Sequence, residues 1–251
     1  MSMRPVALLA VIAFLVLGCA DPPDASGPPV GESPPAAADT PAARPGAARP
    51  AAEPDARPLV VFLGDSLTAG LGLDEEQAFP ARIAELLRAE GTPVRVVNAG
   101  VSGDTTAGGL RRLDWLLRQE PDVLVVGLGA NDGLRALATE ATEENLREII
   151  VRARTAGTAV LLAGMRVPPN YGPDYAAGFA AIYPRLAEEL GVPLVPFLLE
   201  GVAAVPELNQ ADGIHPNAAG QRRVAETVLA HLRPLIAEQD HDPPEDGSGA
   251  R

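Results

Sequence analysis

The sequence contains no lysine. That absence removes Schiff-base chemistry, a phosphate-gripping P-loop lysine and a Ser–Lys dyad together. Cysteine occurs once, at Cys19, so no disulfide framework forms within the chain and no thiol nucleophile remains elsewhere. Histidine occurs three times, at His215, His231 and His241, too scattered for a metal site. Neither a metal nor a cofactor is expected. Excess positive charge is missing as well. The net charge is −13, and between residues 58 and 238 there are 15 arginines against 23 acidic residues, which leaves that stretch at −8. Such a balance opposes nucleic-acid binding, which needs clustered cations.

Long hydrophobic runs are also scarce. The one uninterrupted stretch, Val6–Leu17, follows a single positive charge at Arg4. It is too short to cross a bilayer as a mature helix and suits the core of a secretory signal. It ends at Val16-Leu17-Gly18-Cys19, which resembles a bacterial lipobox. The resemblance implies cleavage before Cys19, lipid on Cys19, and an exported protein held on a membrane by that anchor, with the outer membrane favoured. Residues 1–18 thus read as a signal peptide. Residues 19–57, rich in Pro and Ala, have too little apolar surface to offset the entropy of ordering and read as a tether. One folded domain is expected over 58–238, followed by a structureless tail over 239–251.

Five apolar runs have strand length: Leu59–Leu63, Val94–Val97, Val123–Leu128, Ala159–Ala163 and Val192–Val195. None alternates cleanly with polar residues, as expected of strands covered on both faces. Helical patterns lie between them. Ile83, Leu86 and Leu87 share one face before a helix stop at Gly91, and Leu110, Leu113, Leu116 and Leu117 form another stripe that ends at Pro121. A third helix is expected to open on a capping box at Thr142 and to close at Gly157. Two more follow in the segments containing Ile182 and Val224. Alternating strands and helices predict a parallel five-stranded sheet in a three-layer α/β/α domain. Ligands of such sheets bind beyond the carboxyl ends of the strands.

Polar residues gather at just those ends. Gly64-Asp65-Ser66 follows the first strand, Asn98 to Gly109 the second, and Gly129-Ala130-Asn131-Asp132 the third. Asp212 and His215 precede the last helix. Parallel topology brings the strand ends together, and a loop can return the histidine to them. The set suits acyl transfer. Ser66 is a weak nucleophile until a base takes its proton, and His215 is the histidine placed to do so. Asp212, three residues earlier, can accept the other imidazole N–H and fix the tautomer. The backbone amides of Ser66 and Gly100 and the side-chain amide of Asn131 are candidate donors to a tetrahedral oxyanion. Taken singly, each has a duller role: a turn at Gly64-Asp65-Ser66, a helix start at Pro216, a strand exit at Asn131.

Together these blocks resemble the SGNH (GDSL-type) hydrolases, whose Ser, Gly, Asn and His markers fall here on Ser66, Gly100, Asn131 and His215. The likeness continues through "GANDGLR", "MRVPPNYGPDY" and "DGIHPNAAGQ". It points to the thioesterase I / lysophospholipase L1 / arylesterase branch. The resemblance implies a flavodoxin-like fold and hydrolysis of carboxylic esters and thioesters through an acyl-serine. The expected partner is thus a small-molecule ester or lysolipid, with Val167, Pro168 and Pro169 against the substrate. Three rivals fall short. An α/β-hydrolase needs a G-x-S-x-G elbow, whereas Thr68 stands at its second glycine. A dinucleotide fold needs a third glycine where Asp132 stands. A non-catalytic envelope lipoprotein would have no reason to keep both Ser66 and His215. Within the enzymes, a carbohydrate O-deacetylase of the cell envelope is the alternative.

Overall fold

The computed structural model describes residues 55–239. The expected signal, the lipid-bearing Cys19, most of the tether and nearly all of the tail lie outside the described residues. Five strands form one parallel sheet: β1 (Leu59–Gly64), β2 (Arg95–Gly100), β3 (Val123–Gly127), β4 (Ala159–Ala163) and β5 (Leu194–Val195). Their order across the sheet is β2-β1-β3-β4-β5. Every residue of β1 and β3 is buried, which is why their sequences carry no polar alternation. Each fully buried Val, Leu or Phe of these strands contributes roughly 1.5–3 kcal/mol. β2 is an edge strand and only half-buried throughout.

Among the described residues there are seven α-helices, in chain order α1 (Ser66–Ala69), α2 (Phe79–Ala89), α3 (Thr106–Leu117), α4 (Ala130–Leu134), α5 (Thr139–Thr155), α6 (Pro173–Leu190) and α7 (Ala218–Gln239). α2 packs on α7, while α5 packs on both α3 and α6, giving two helical groups. In α2 the buried face is Phe79, Ile83 and Leu87, four residues apart, with Phe79 edge-on to Phe62 of β1 at 5.6 Å. Leu86, expected on that face, lies on its flank and is 37% exposed.

Three local expectations are corrected. β2 runs three residues past Val97, because pairing with β1 carries Asn98, Ala99 and Gly100 into the ladder. α5 begins a turn before Thr142, whose hydroxyl donates to the Ala138 carbonyl instead of capping a helix start. Pro216 is not in α7; it bridges to Asn209, and the Asn217 side chain caps the helix by accepting from the Ala219 and Gly220 amides. α6 and α7 each contain a proline, Pro184 and Pro234, both on exposed faces where water can satisfy the carbonyl left without a donor.

β1 is followed in the chain by β2 on one side and neighbours β3 on the other. The order reverses between β1 and β3, which opens a crevice at their carboxyl ends.

Candidate active site

Ser66 sits directly beyond that crevice, as the first residue of α1. Asp65 caps this helix by accepting from the Leu67 amide at 3.0 Å, so the turn that ends β1 also presents the serine. The Ser66 hydroxyl lies 2.9 Å from His215 Nε2. The histidine arrives on a loop closed by the Asn209–Pro216 bridge and by the Gln210 amide donating to the His215 carbonyl at 2.8 Å. Inside this loop Asp212 Oδ1 accepts from the Ile214 and His215 amides, each at 3.0 Å, and Oδ2 lies 2.7 Å from His215 Nδ1. The His215 amide first, then its ring and the Ile214 amide, hold the Asp212 carboxyl down at about 2. An ionised carboxylate can only accept, so Nδ1 carries the proton and Nε2 presents its lone pair to Ser66. The arrangement can deprotonate a serine and stabilise the resulting imidazolium.

Asn131 stands in the first turn of α4 with its side-chain amide donating to Asp65 Oδ2 at 3.3 Å, which leaves a second amide hydrogen. Burial pushes the Asp65 carboxyl up to about 6, against the Leu67 amide, His215 and Asn131, which pull it down. Because the folded value is raised, a stability cost is absent below the unfolded value near 3.8, grows between 3.8 and 6, and is complete above 6. At about 1.4 kcal/mol per unit that cost is on the order of 3 kcal/mol at neutral pH. Asp132 points elsewhere: it is buried and accepts from the Thr106 amide at 2.9 Å and hydroxyl at 2.6 Å, fastening the start of α3.

Gly100 does not take the position expected of it. Its amide donates to Asn98 Oδ1 at 3.0 Å within the β2 extension, and a Cβ there would meet the Ala69 amide nitrogen at 2.3 Å. Glycine is needed at 100 for packing against α1. Three residues on, Gly103 lines the cavity beside Ser66, with φ of 79°, and its amide has no partner among the described residues. Gly103 therefore replaces Gly100 as the second candidate backbone donor.

A cavity of about 620 Å³ opens over Ser66, Asn131 and His215. Val167, Pro168 and Pro169 lie on its wall, together with Phe197, Leu199, Ala203 and Ala204. Other supports went unseen. Arg112 donates to the Gly64 and Ala99 carbonyls at 2.8 and 2.6 Å and to Asp104 at 2.8 Å, tying the ends of β1 and β2 to the Gly103 turn. Tyr171, Tyr175 and Tyr183, spaced by four and then eight residues along α6 and just before it, donate to the Leu134, Leu137 and Leu128 carbonyls and so fix the segment that carries Asn131. That spacing was the available signal. Among the described residues no group of three or more His, Cys, Asp or Glu is placed to hold a metal ion.

A parallel α/β sheet with a serine, an imidazole and a carboxylate in hydrogen-bonded line at its switch point defines a serine-hydrolase class of protein. More narrowly, the chain belongs to the GDSL-like Lipase/Acylhydrolase family, whose model matches residues 62–223. It is 47% identical over 178 residues to the esterase TesA of Pseudomonas aeruginosa, covering 70% of this chain and 89% of that one. It is 42% identical over 184 residues to thioesterase 1/protease 1/lysophospholipase L1 of Escherichia coli K12, covering 73% and 86% respectively. A crystal structure of TesA superposes with a TM-score of 0.68 at 47% identity, over 70% of this chain and 99% of that chain.

Proposed function

We propose that the chain is a serine esterase that hydrolyses carboxylic esters of acyl, aryl or lysophospholipid type through an acyl-serine intermediate. The single observation that carries the assignment of residues is the 2.9 Å approach of Ser66 Oγ to His215 Nε2, backed by Asp212 at 2.7 Å, at the mouth of an apolar cavity. Ser66 Oγ attacks the ester carbonyl as His215 Nε2 takes its proton. The carbonyl oxygen becomes an oxyanion and accepts from the Ser66 and Gly103 amides and the Asn131 side chain. Collapse breaks the bond to the alcohol oxygen, which leaves with the proton held on His215. Water then attacks the acyl-serine, with His215 again taking and returning a proton, to release the acid.

The names of the relatives, esterase and thioesterase/lysophospholipase, support this reaction class. The apolar wall formed by Val167, Pro168, Phe197 and Leu199 supports a hydrocarbon acyl or aryl group over an acetylated sugar. Each methylene buried there contributes up to ~0.8 kcal/mol, or about fourfold in kcat/KM. For an ester series of increasing acyl length on one alcohol, kcat/KM should therefore climb over the first few carbons and then level as the cavity fills. A thioester and an acetylated sugar run alongside test the boundaries. Preference for the acetylated sugar over every longer acyl ester would replace this reading with an O-deacetylase.

The apolar run at 6–17 and the Gly18-Cys19 pair support export and lipidation at Cys19, with the catalytic domain tethered outside the cytoplasm to a membrane, the outer one being favoured. Among the described residues no helix is long and apolar enough to cross a membrane. Two or more acyl chains give stable anchorage where one is marginal. Cys19→Ser should shift the protein from the membrane to the soluble fraction, and an unchanged membrane fraction would refute lipidation.

A further inference from the structure

Among the described residues Arg166 is the one guanidinium that lines the cavity, and it lies beside Val167 and Pro168 on the wall already described. In a domain where acidic residues outnumber arginines, it has neither a salt bridge nor a hydrogen bond among the described residues. Its guanidinium instead rests over the Phe197 ring, 4.7 Å from the centroid. Stacking on an aromatic face holds the planar group in one orientation while its N–H edge stays free. Asp65 is the only carboxylate among the lining residues, and it is occupied by the Leu67 amide and Asn131.

We propose that Arg166 is an anion anchor in the substrate cavity, selecting esters that carry a single phosphate or carboxylate group in addition to the scissile ester. The proposal rests on the esterase reading and deepens it. A guanidinium edge matches both oxyanions through paired N–H donors, and such charge-assisted contacts are about twice as strong as neutral ones. The phenyl platform lowers the entropy lost on binding, since the fork is already set. The surrounding net charge of −8 limits the selection, because a polyanion would meet repulsion that one local cation cannot offset.

The test compares two matched pairs: a monoacylglycerol phosphate with the monoacylglycerol of the same chain, and a dicarboxylate half-ester with its neutral diester, all below their aggregation concentrations. The readout is the ratio of kcat/KM, anionic over neutral, within each pair. Arg166→Gln should lower at least one ratio roughly tenfold or more, mainly through KM, and Arg166→Lys should restore part of it. Added salt should lower the same ratio in the unaltered protein and leave it nearly flat in Arg166→Gln. A fall in the phosphate pair alone assigns the anchor to phosphate, and in the carboxylate pair alone to carboxylate. Ratios that Arg166→Gln leaves unchanged in both pairs overturn the anchor while the neutral turnover keeps the esterase reading intact. Absence of turnover on all four compounds overturns both.

Discussion

Replacing Ser66 by Ala, or His215 by Ala, should lower kcat for a good ester by roughly 10⁶-fold, about 8 kcal/mol of transition-state stabilisation. In the proposed mechanism the two side chains, 2.9 Å apart, act as one device, so neither works without the other. Their double variant should therefore lose little beyond either single one. Additive losses would mean that they act in separate steps. Both positions are favourable for such a test. Among the described residues, the Ser66 hydroxyl has no hydrogen-bond partner other than His215, and the His215 side chain bonds only to Ser66 and Asp212. Thermal unfolding should thus shift by no more than a few degrees, and a residual rate near that of the unaltered protein would remove Ser66 as nucleophile.

Asp212→Asn should lower kcat by roughly 10⁴-fold, about 5 kcal/mol. The substitution keeps the shape of the loop, because the asparagine Oδ1 can still accept from the Ile214 and His215 amides. What changes is the atom facing His215 Nδ1. A carboxylate oxygen there obliges Nδ1 to carry the proton, whereas an amide NH₂ there donates and turns the ring into the tautomer with hydrogen on Nε2. Nε2 then has no lone pair for the Ser66 proton. KM should change little, since Asp212 does not line the cavity. A deficit confined to KM would show that Asp212 shapes substrate binding instead of orienting the imidazole. Nearly half of the Asp212 side chain is exposed to solvent, and a loss much smaller than expected would mean that water can take over its acceptor role.

Ser66 and Asn131 are legible because each breaks an apolar strand pattern at its carboxyl end, whereas His215 stands out as the histidine just before the last helix and Asp212 as the carboxylate three residues ahead of it. Gly100 lies within β2 and off the cavity wall, a placement that is not written in propensity. Asn98, Ala99 and Gly100 are poor strand formers on a half-buried edge, and only their pairing with Phe62, Leu63 and Gly64 holds them extended. The loop thus starts at Val101, and Gly103 falls where Gly100 had been expected. The far wall of the cavity was hidden for a similar reason. β5 is two residues long, and Phe197 to Ala204 belong to neither strand nor regular helix, so no periodicity marks their apolar side chains as a surface. Nothing in the local pattern of α3 sets Arg112 apart from Arg111 beside it. Its hold on the Gly64 and Ala99 carbonyls depends on where two other elements end, information that no local pattern carries.

The central claim is that an acyl group is carried by Ser66. The most direct measurement is to mix the enzyme with an aryl ester whose acyl group leaves slowly, quench within one turnover, and locate the added acyl mass by peptide mass spectrometry. One acyl group should appear per active chain, on the peptide containing Ser66, with a matching burst of released phenol and none in Ser66→Ala. A burst-free time course with no acylated peptide, or an acyl group on any other residue at stoichiometric yield, would contradict it.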